Sequence, residues 1–264
     1  MLEKERQNHI FHQVEGAGPP VLFVHGVAGS MDNWAKNIPE IASAGFRTYA
    51  VDLIGHGESA KPDEPEAYHV EEVYQHLEAW IEESEIEGPF DLVGHSMGAY
   101  LVMKYALKNP EQVAKLVLVD PLYKPDQLTS VMRIWGSRPD VGVRMMKVTP
   151  ENMLRPVVQW LNGFNHHTTG RRLHMLANDL HRMHPNILYT PASVDDLSDK
   201  VFALEMPTLV VWGKNDRTLA PKSFAPLVEK LPNSESMMMS FCGHTPHISK
   251  STAFNQRVIE FLKH

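Results

Sequence analysis

FDLVGHSMGAYLVMKYA, residues 90–106, sets one small polar residue, Ser96, between two apolar runs of different period. Phe90, Leu92 and Val93 form a short β-like run, whereas Met97 to Ala106 is long enough and rich enough in Ala, Leu and Met for a buried helix. The serine therefore falls on a strand-to-helix turn. Gly94 and Gly98, two residues to either side, complete the pattern G-x-S-x-G. Such glycines suit a turn in which strand and helix approach too closely for a side chain and the backbone at Ser96 takes unusual angles. Taken alone, the pattern also fits a serine N-cap with two neighbouring glycines, and the rest of the chain has to decide.

Bulk properties narrow the classes. The 264 residues suffice for one α/β domain, or for one domain with an insertion. A composition of 43% hydrophobic and 22% charged residues, with no apolar run of about 18 residues, excludes a disordered chain and a membrane-spanning helix. The first ten residues, MLEKERQNHI, are charged and lack the apolar core of a signal peptide, which points to the cytoplasm. Cys242 is the only cysteine, so no intrachain disulfide and no thiolate metal cluster can be built. The net charge of −7 is unevenly placed: residues 58–87 hold eleven acidic residues against Lys61, and residues 122–193 carry a dispersed excess of Lys and Arg. The acidic block overlaps an amphipathic helix, with Val73, Leu77, Trp80 and Ile81 on one side, and its charges read as a solvated face. Neither block points to nucleic acid.

Short apolar runs followed by helical patterns recur along the chain. Strands are expected at 21–24, 48–51, 92–93, 116–119, 209–212 and 237–241, and helices at 33–43, 70–83, 97–109, 221–230 and 252–263. This alternation predicts an α/β fold, a mostly parallel, doubly wound sheet covered on both faces. The rhythm stops after Pro121 and resumes near residue 194. In between lie helical stretches broken by Pro139, Pro150, Pro156 and Pro185 and carrying Met132, Met145, Met146, Met153, Met175 and Met183. This segment, 122–193, reads as a helical cap inserted into a core formed by 1–121 and 194–264. Its methionines suit an adaptable apolar surface, although methionine in a helix also serves as plain core.

A serine hydroxyl is a weak nucleophile. It needs a base within hydrogen-bond reach, an acid that orients the base, and donors for the oxyanion that forms. Each has a candidate at a strand end: His244 in FCGHTPH after the last strand, Asp216 in WGKNDRTL after the preceding one, and the backbone N–H groups of Val27 and Met97 as oxyanion donors. The order Ser96, Asp216, His244 is the one expected where the nucleophile sits on a strand-to-helix turn. Asp120, after an earlier strand, is an alternative carboxylate. With these residues assembled, the sequence resembles the α/β-hydrolase superfamily in its compact, single-cap serine esterase branch. The resemblance runs through HG at His25-Gly26, DLIGHGES at 52–59, GHSMG at 94–98, LVLVDP at 116–121, WGKND at 212–216 and GHTPH at 243–247. It implies an α/β-hydrolase fold with an inserted cap, no cofactor and no metal.

Candidate pocket residues are His25, Gly26, Trp34, His95, Trp135, Met146 and Trp160. His95 also reads as structural, and Trp34 equally as a buried anchor. His174, His181 and His184 have helical spacing, but no carboxylate or cysteine pattern accompanies them to hold a metal. The reaction expected is hydrolysis of short to medium carboxylic esters through an acyl-enzyme, with a small-molecule ester as partner and neither membrane nor nucleic acid. Family members acting on halides or epoxides carry Asp where Ser96 stands. Carbon–carbon hydrolases of the family often show Asn at the position of His95 and Trp at that of Thr245, which puts that activity second. A receptor that binds a small molecule without turnover is the reading from another class. The natural substrate and oligomeric state are left open.

Overall fold

A computed structural model describes residues 9–84, 86–130, 138–150, 153, 156, 178–179 and 181–264. Seven strands build one sheet: β1 (His12–Gly16), β2 (Pro20–Val24), β3 (Arg47–Val51), β4 (Phe90–His95), β5 (Val113–Val119), β6 (Thr208–Gly213) and β7 (Ser234–Met239). Their order is β1-β3-β2-β4-β5-β6-β7, with β1 antiparallel to β3 and every other pair parallel. The central strands are near-continuous apolar runs such as VLFV and LVLV because helices cover both faces, leaving no side of the pleat in water.

Among the described residues, the α-helices with both ends defined are α1 (Ile38–Ser43), α2 (Val70–Glu83), α3 (Met97–Lys108), α4 (Pro139–Val148), α5 (Phe224–Lys230), α6 (Pro246–Ser249) and α7 (Ser251–Lys263). On one face, Val73, Leu77 and Ile81 of α2 and Leu101 and Tyr105 of α3 pack with Leu22, Leu92 and Leu116 of the sheet. On the other, Phe254, Val258 and Phe261 of α7 and Ile41 of α1 pack with Phe23, Val93, Val117 and Leu209. The doubly wound α/β-hydrolase fold expected above is the one observed.

Boundaries shifted where local signals competed. The helix expected at 33–43 divides into a 3₁₀ turn, Met31–Trp34, and α1, whose first turn holds Pro39. The last strand lies at Ser234–Met239, short of 237–241, because Phe241 adopts φ 52 and turns the chain out of the sheet. Strand β1, HQVEG, was not expected: all five residues are exposed, so no apolar face marks it, and only its pairing with β3 makes it a strand. The insertion between β5 and β6 contributes α4 and a 3₁₀ segment, Pro185–Ala192, among the described residues. That segment docks on the core through His184 N–H to Gly55 O at 2.7 Å and Thr190 Oγ1 to Tyr68 O at 2.7 Å.

At the start of β4, Asp91 is buried, and burial pushes its carboxyl up to about 6 against the partial relief of Lys115. A carboxyl raised in the folded state supplies stability below its unfolded value, near 3.8, and loses it as pH rises through 6. Asp91→Asn is therefore expected to stabilise the protein by about 3 kcal/mol at pH 7.5 and by well under about 1 kcal/mol at pH 4. Urea melts of both proteins across that range measure the difference. A constant difference, or a less stable variant at pH 7.5, refutes the assignment.

Candidate active site

The serine stands where β4 gives way to α3, with φ 52 and ψ −114, a backbone state that leaves its side chain projecting beyond the sheet. Two glycines permit the turn. A Cβ on Gly94 would lie 2.6 Å from Ala99 Cα, and one on Gly98 would lie 2.3 Å from Val24 O, so any side chain there forces α3 away from the sheet. The Ser96 N–H donates to Val119 O at 2.9 Å, and its carbonyl accepts from Tyr100 and Leu122, each at 3.2 Å. The turn is thus clamped from β5 and from α3.

His244 reaches this serine from the loop after β7: Nε2 lies 3.0 Å from Ser96 Oγ, and Nδ1 lies 2.7 Å from Asp216 Oδ2. Asp216, in the turn after β6, is held from the other side by the N–H groups of Thr218 and Leu219, which donate to Oδ1 at 2.8 and 3.1 Å. Its carboxylate therefore points one oxygen at the imidazole and satisfies the other locally. Ser96 and His244 are half-buried, which leaves the hydroxyl within reach of a ligand.

Asp120 sits at the end of β5 with φ 41, fully buried. Its Oδ1 accepts from the Gly213 N–H at 2.9 Å, and burial together with the charge of Asp216 pushes its carboxyl well above the ordinary carboxylate range. The imidazole hydrogen-bonds Asp216, while a carboxyl oxygen of Asp120 stands within 4.8 Å of one of its nitrogens.

The loop after β2 passes close to the serine: a Cβ on Gly26 would lie 3.0 Å from Ser96 Cβ and 2.9 Å from His95 Nδ1. Val27, the next residue, is half-buried beside the site, and Met97 opens α3, where a helix leaves its first N–H groups without intrahelical partners. Met97 follows Ser96 along the chain, and the Gly26–Val27 turn approaches it in space.

Three residues expected to wall a pocket lie behind the site. Trp34 is fully buried, its ring 4.3 Å from that of His247 and 5.3 Å from that of Phe23, so it anchors the first 3₁₀ turn. His25, also fully buried, accepts from the Leu53 N–H at Nε2 (3.0 Å) and so donates from Nδ1 to Gly26 O (2.8 Å), a buttress for the loop. His95 donates from Nε2 to the His244 carbonyl at 2.7 Å and supports the base from below. All three correct the pocket expectation. For His25 and His95 a backbone group satisfies a ring nitrogen at that depth, whereas Trp34 is held by its ring contacts, its Nε1 having no hydrogen-bond partner among the described residues. Trp135, Trp160, Met132, Met175 and His174 lie outside the described residues, as does the side chain of Met146 on α4. Of the remaining methionines of the insertion, Met183 is buried and Met145 and Met153 are exposed.

Sequence reading missed His247 as part of this layer. It is fully buried, its ring lies 4.6 Å from that of His95, and neither ring nitrogen has a hydrogen-bond partner among the described residues. Burial, and then the neighbouring His244, push its imidazole down to about 3. The only hint was its place inside GHTPH.

The sequence model of the family described as alpha/beta hydrolase fold matches residues 19–251. The chain belongs to this family. Its relatives include a 2-hydroxy-6-oxononadienedioate/2-hydroxy-6-oxononatrienedioate hydrolase of Cupriavidus pinatubonensis, 27% identical over 260 residues that cover 94% of this chain and 88% of the relative. Among solved structures, a thermophilic esterase of Thermogutta terrifontis superposes with TM-score 0.82 at 23% identity, over 96% of this chain and 93% of the other. A meta-cleavage product hydrolase of Pseudomonas fluorescens superposes with TM-score 0.79 at 20% identity, over 96% and 94%. The family places this chain among hydrolases of the α/β fold, and both structures share that fold.

A base whose folded pKa is depressed supplies stability above its unfolded value, near 6.5, and loses it as pH falls towards the folded value, here about 3. His247→Phe removes both unpartnered nitrogens and keeps a ring against Trp34. It is expected to raise stability by about 2 kcal/mol more at pH 5 than at pH 8. Thermal or urea melts at the two pH values decide the matter, and equal pH slopes for both proteins would show that His247 is not the group that titrates.

Proposed function

We propose that the protein is a serine hydrolase that cleaves carboxylic esters through an acyl-enzyme. The observation that carries this reading is the unbroken chain from Ser96 Oγ through both nitrogens of His244 to Asp216, at 3.0 and 2.7 Å. His244 takes the serine proton as Oγ bonds to the carbonyl carbon, and Asp216 stabilises the imidazolium that results. The Val27 and Met97 amides receive the negative charge that develops on the carbonyl oxygen. Collapse of the tetrahedral adduct expels the alcohol, which leaves with the proton from His244. Water, deprotonated by the same imidazole, then releases the acid and restores the serine. Segment 122–193 acts as a cap over a core of residues 1–121 and 194–264 and sets the choice of small-molecule substrate, with its apolar side chains favouring short to medium acyl groups.

A second reading has specific support. The C. pinatubonensis relative is named for a carbon–carbon hydrolase of an unsaturated diacid, and the same triad could open a ketone if the departing carbon accepted a proton. Two observations favour the ester. His95 and Thr245 depart from the Asn and Trp that such enzymes often carry, and Arg182, a cation on the described part of the insertion, is already engaged by Asp179 and Asp32, each at 2.6 Å. A diacid has no claim on a guanidinium so neutralised.

The decisive measurement sets p-nitrophenyl esters of increasing acyl length against 2-hydroxy-6-oxo-6-phenylhexa-2,4-dienoate. For esters, kcat/KM should climb roughly fourfold per added methylene until the pocket is full and then fall. A dienoate kcat/KM above that of the best ester would give the second reading first place. A single acylation without further turnover on any substrate would make the protein a sensor.

Ser96→Ala should lower ester turnover by roughly 10⁶, and an alanine variant with near wild-type activity ends the nucleophile assignment. Asp216→Asn should lower kcat by about 10⁴, because an amide cannot hold His244 in the accepting tautomer, whereas Asp120→Asn should do little. The reverse pattern would move the triad acid to the end of β5.

A further inference from the structure

A buried polar cluster joins the loop after β2 to the insertion and takes no part in the chemistry assigned above. Asp179, 1% exposed, accepts hydrogen bonds from Ser30 Oγ at 3.0 Å, Asn33 Nδ2 at 2.7 Å and Arg182 Nη2 at 2.6 Å. The same guanidinium nitrogen donates to Ser30 Oγ at 3.0 Å and to Asp32 Oδ2 at 2.6 Å. Ser30 and Asn33 are themselves buried and stand 149 and 146 residues away in sequence. A carboxylate removed from water is costly unless it is paired and fully hydrogen-bonded, so a cluster with this many donors has one arrangement in which the cost is met.

The loop it grips runs from His25 to Trp34 and carries Val27. From the core side, the loop is held by the His25 ring on the Leu53 N–H (3.0 Å) and by the Met31 N–H on Asp52 Oδ1 (2.8 Å). Within it, the Gly29 N–H donates to Gly26 O at 3.1 Å around Ala28, whose φ of 61 is a strained state that needs support from its surroundings. Among the described residues, the insertion supplies that support from the outer side through Asp179.

We propose that Asp179 is a positioning residue for the oxyanion hole: through Ser30 and Asn33 it holds the 26–30 turn, and with it the Val27 N–H, against Ser96. The insertion then does more than shape a pocket. It sets how well the tetrahedral oxyanion is bound, and Arg182 serves by neutralising Asp179 where it is buried. This inference rests on the reading of Val27 and Met97 as oxyanion donors.

The test compares wild type with Asp179→Ala, Asp179→Asn, Ser30→Ala and the Asp179→Ala/Ser30→Ala double variant. Readouts are kcat and KM on p-nitrophenyl acetate, inhibition by an aryl trifluoromethyl ketone, whose adduct with a serine places an oxyanion in the hole, and urea melts to verify folding. Asp179→Ala should lower kcat by about 10- to 100-fold with KM within about twofold, and weaken the ketone by the same factor as kcat. Asp179→Asn, which keeps one carbonyl oxygen as an acceptor, should fall between, and the double variant should lose less than the product of the single losses. If kcat and ketone inhibition stay at wild-type values, or KM alone changes, Asp179 merely packs the insertion and the proposal fails. Should Asp179→Ala not fold, Asp179→Asn and Ser30→Ala are judged by the same criteria. The underlying reading fails separately: a ketone that does not inhibit wild type, or inhibits Ser96→Ala equally well, removes the serine and its oxyanion hole whatever the Asp179 variants do, and this proposal falls with them.

Discussion

The approach of α3 onto the sheet at Gly98 is the contact on which the site depends. A Cβ there would stand 2.3 Å from Val24 O and 2.5 Å from His25 O, distances no side chain tolerates. Because glycine leaves that space empty, the first turn of the helix settles on the ends of β2 and β4. Three consequences follow from one close approach: Ser96 is driven to positive φ and projects outward, the Met97 amide opens the helix beside it, and the Gly26–Val27 turn comes within contact of the serine. Displacement of the helix by an ångström would disturb all three together.

Charge around the serine is kept scarce by burial. His25, His56, His95 and His247 all have imidazoles lowered from the ordinary value, chiefly by desolvation, and form a buried layer of rings in which His95 packs against both His244 and His247, and His56 against His25. The Asp120 carboxyl is raised for the matching reason, since burial and the charge of Asp216 favour its protonated form. Ser96, His244 and Asp216 form one hydrogen-bonded line, at 3.0 and 2.7 Å. The layer has a cost, visible in the two unpartnered nitrogens of His247.

Membership of the family establishes a hydrolase of the α/β fold but leaves the bond that it cleaves undecided, and the superfamily runs several chemistries on this scaffold. The insertion is tied to the core at both of its described ends, through Leu128 paired with Leu219 and through Asp179, Arg182 and His184. Under the proposed function, substrate choice and oxyanion geometry share that structural element.

Much of this was legible along the chain. The apolar runs of the central strands and the 3.6-residue pattern of α2, α3 and α7 are written in the sequence because each buries a defined face, and G-x-S-x-G marks a turn whose sterics only glycine meets. Ser96, Asp216 and His244 could be named because each follows a strand, and strand ends of a parallel sheet meet at one edge. Strand β1 could not be found, since five exposed residues carry no periodicity and only the edge of β3 makes them a strand. Nor could the fates of Trp34, His25, His95 and His247: the His25 and His95 rings bond backbone groups of Leu53 and His244, and the rings of Trp34 and His247 pack on each other with their nitrogens unpartnered among the described residues. The union of Asp179 with Ser30 and Asn33 is of the same kind. Sequence alone determined which residues have chemistry to offer and at which edge of the sheet they gather; tertiary structure decided which of them face a ligand, because burial and hydrogen-bond partners are properties of the packed chain and leave no local signal.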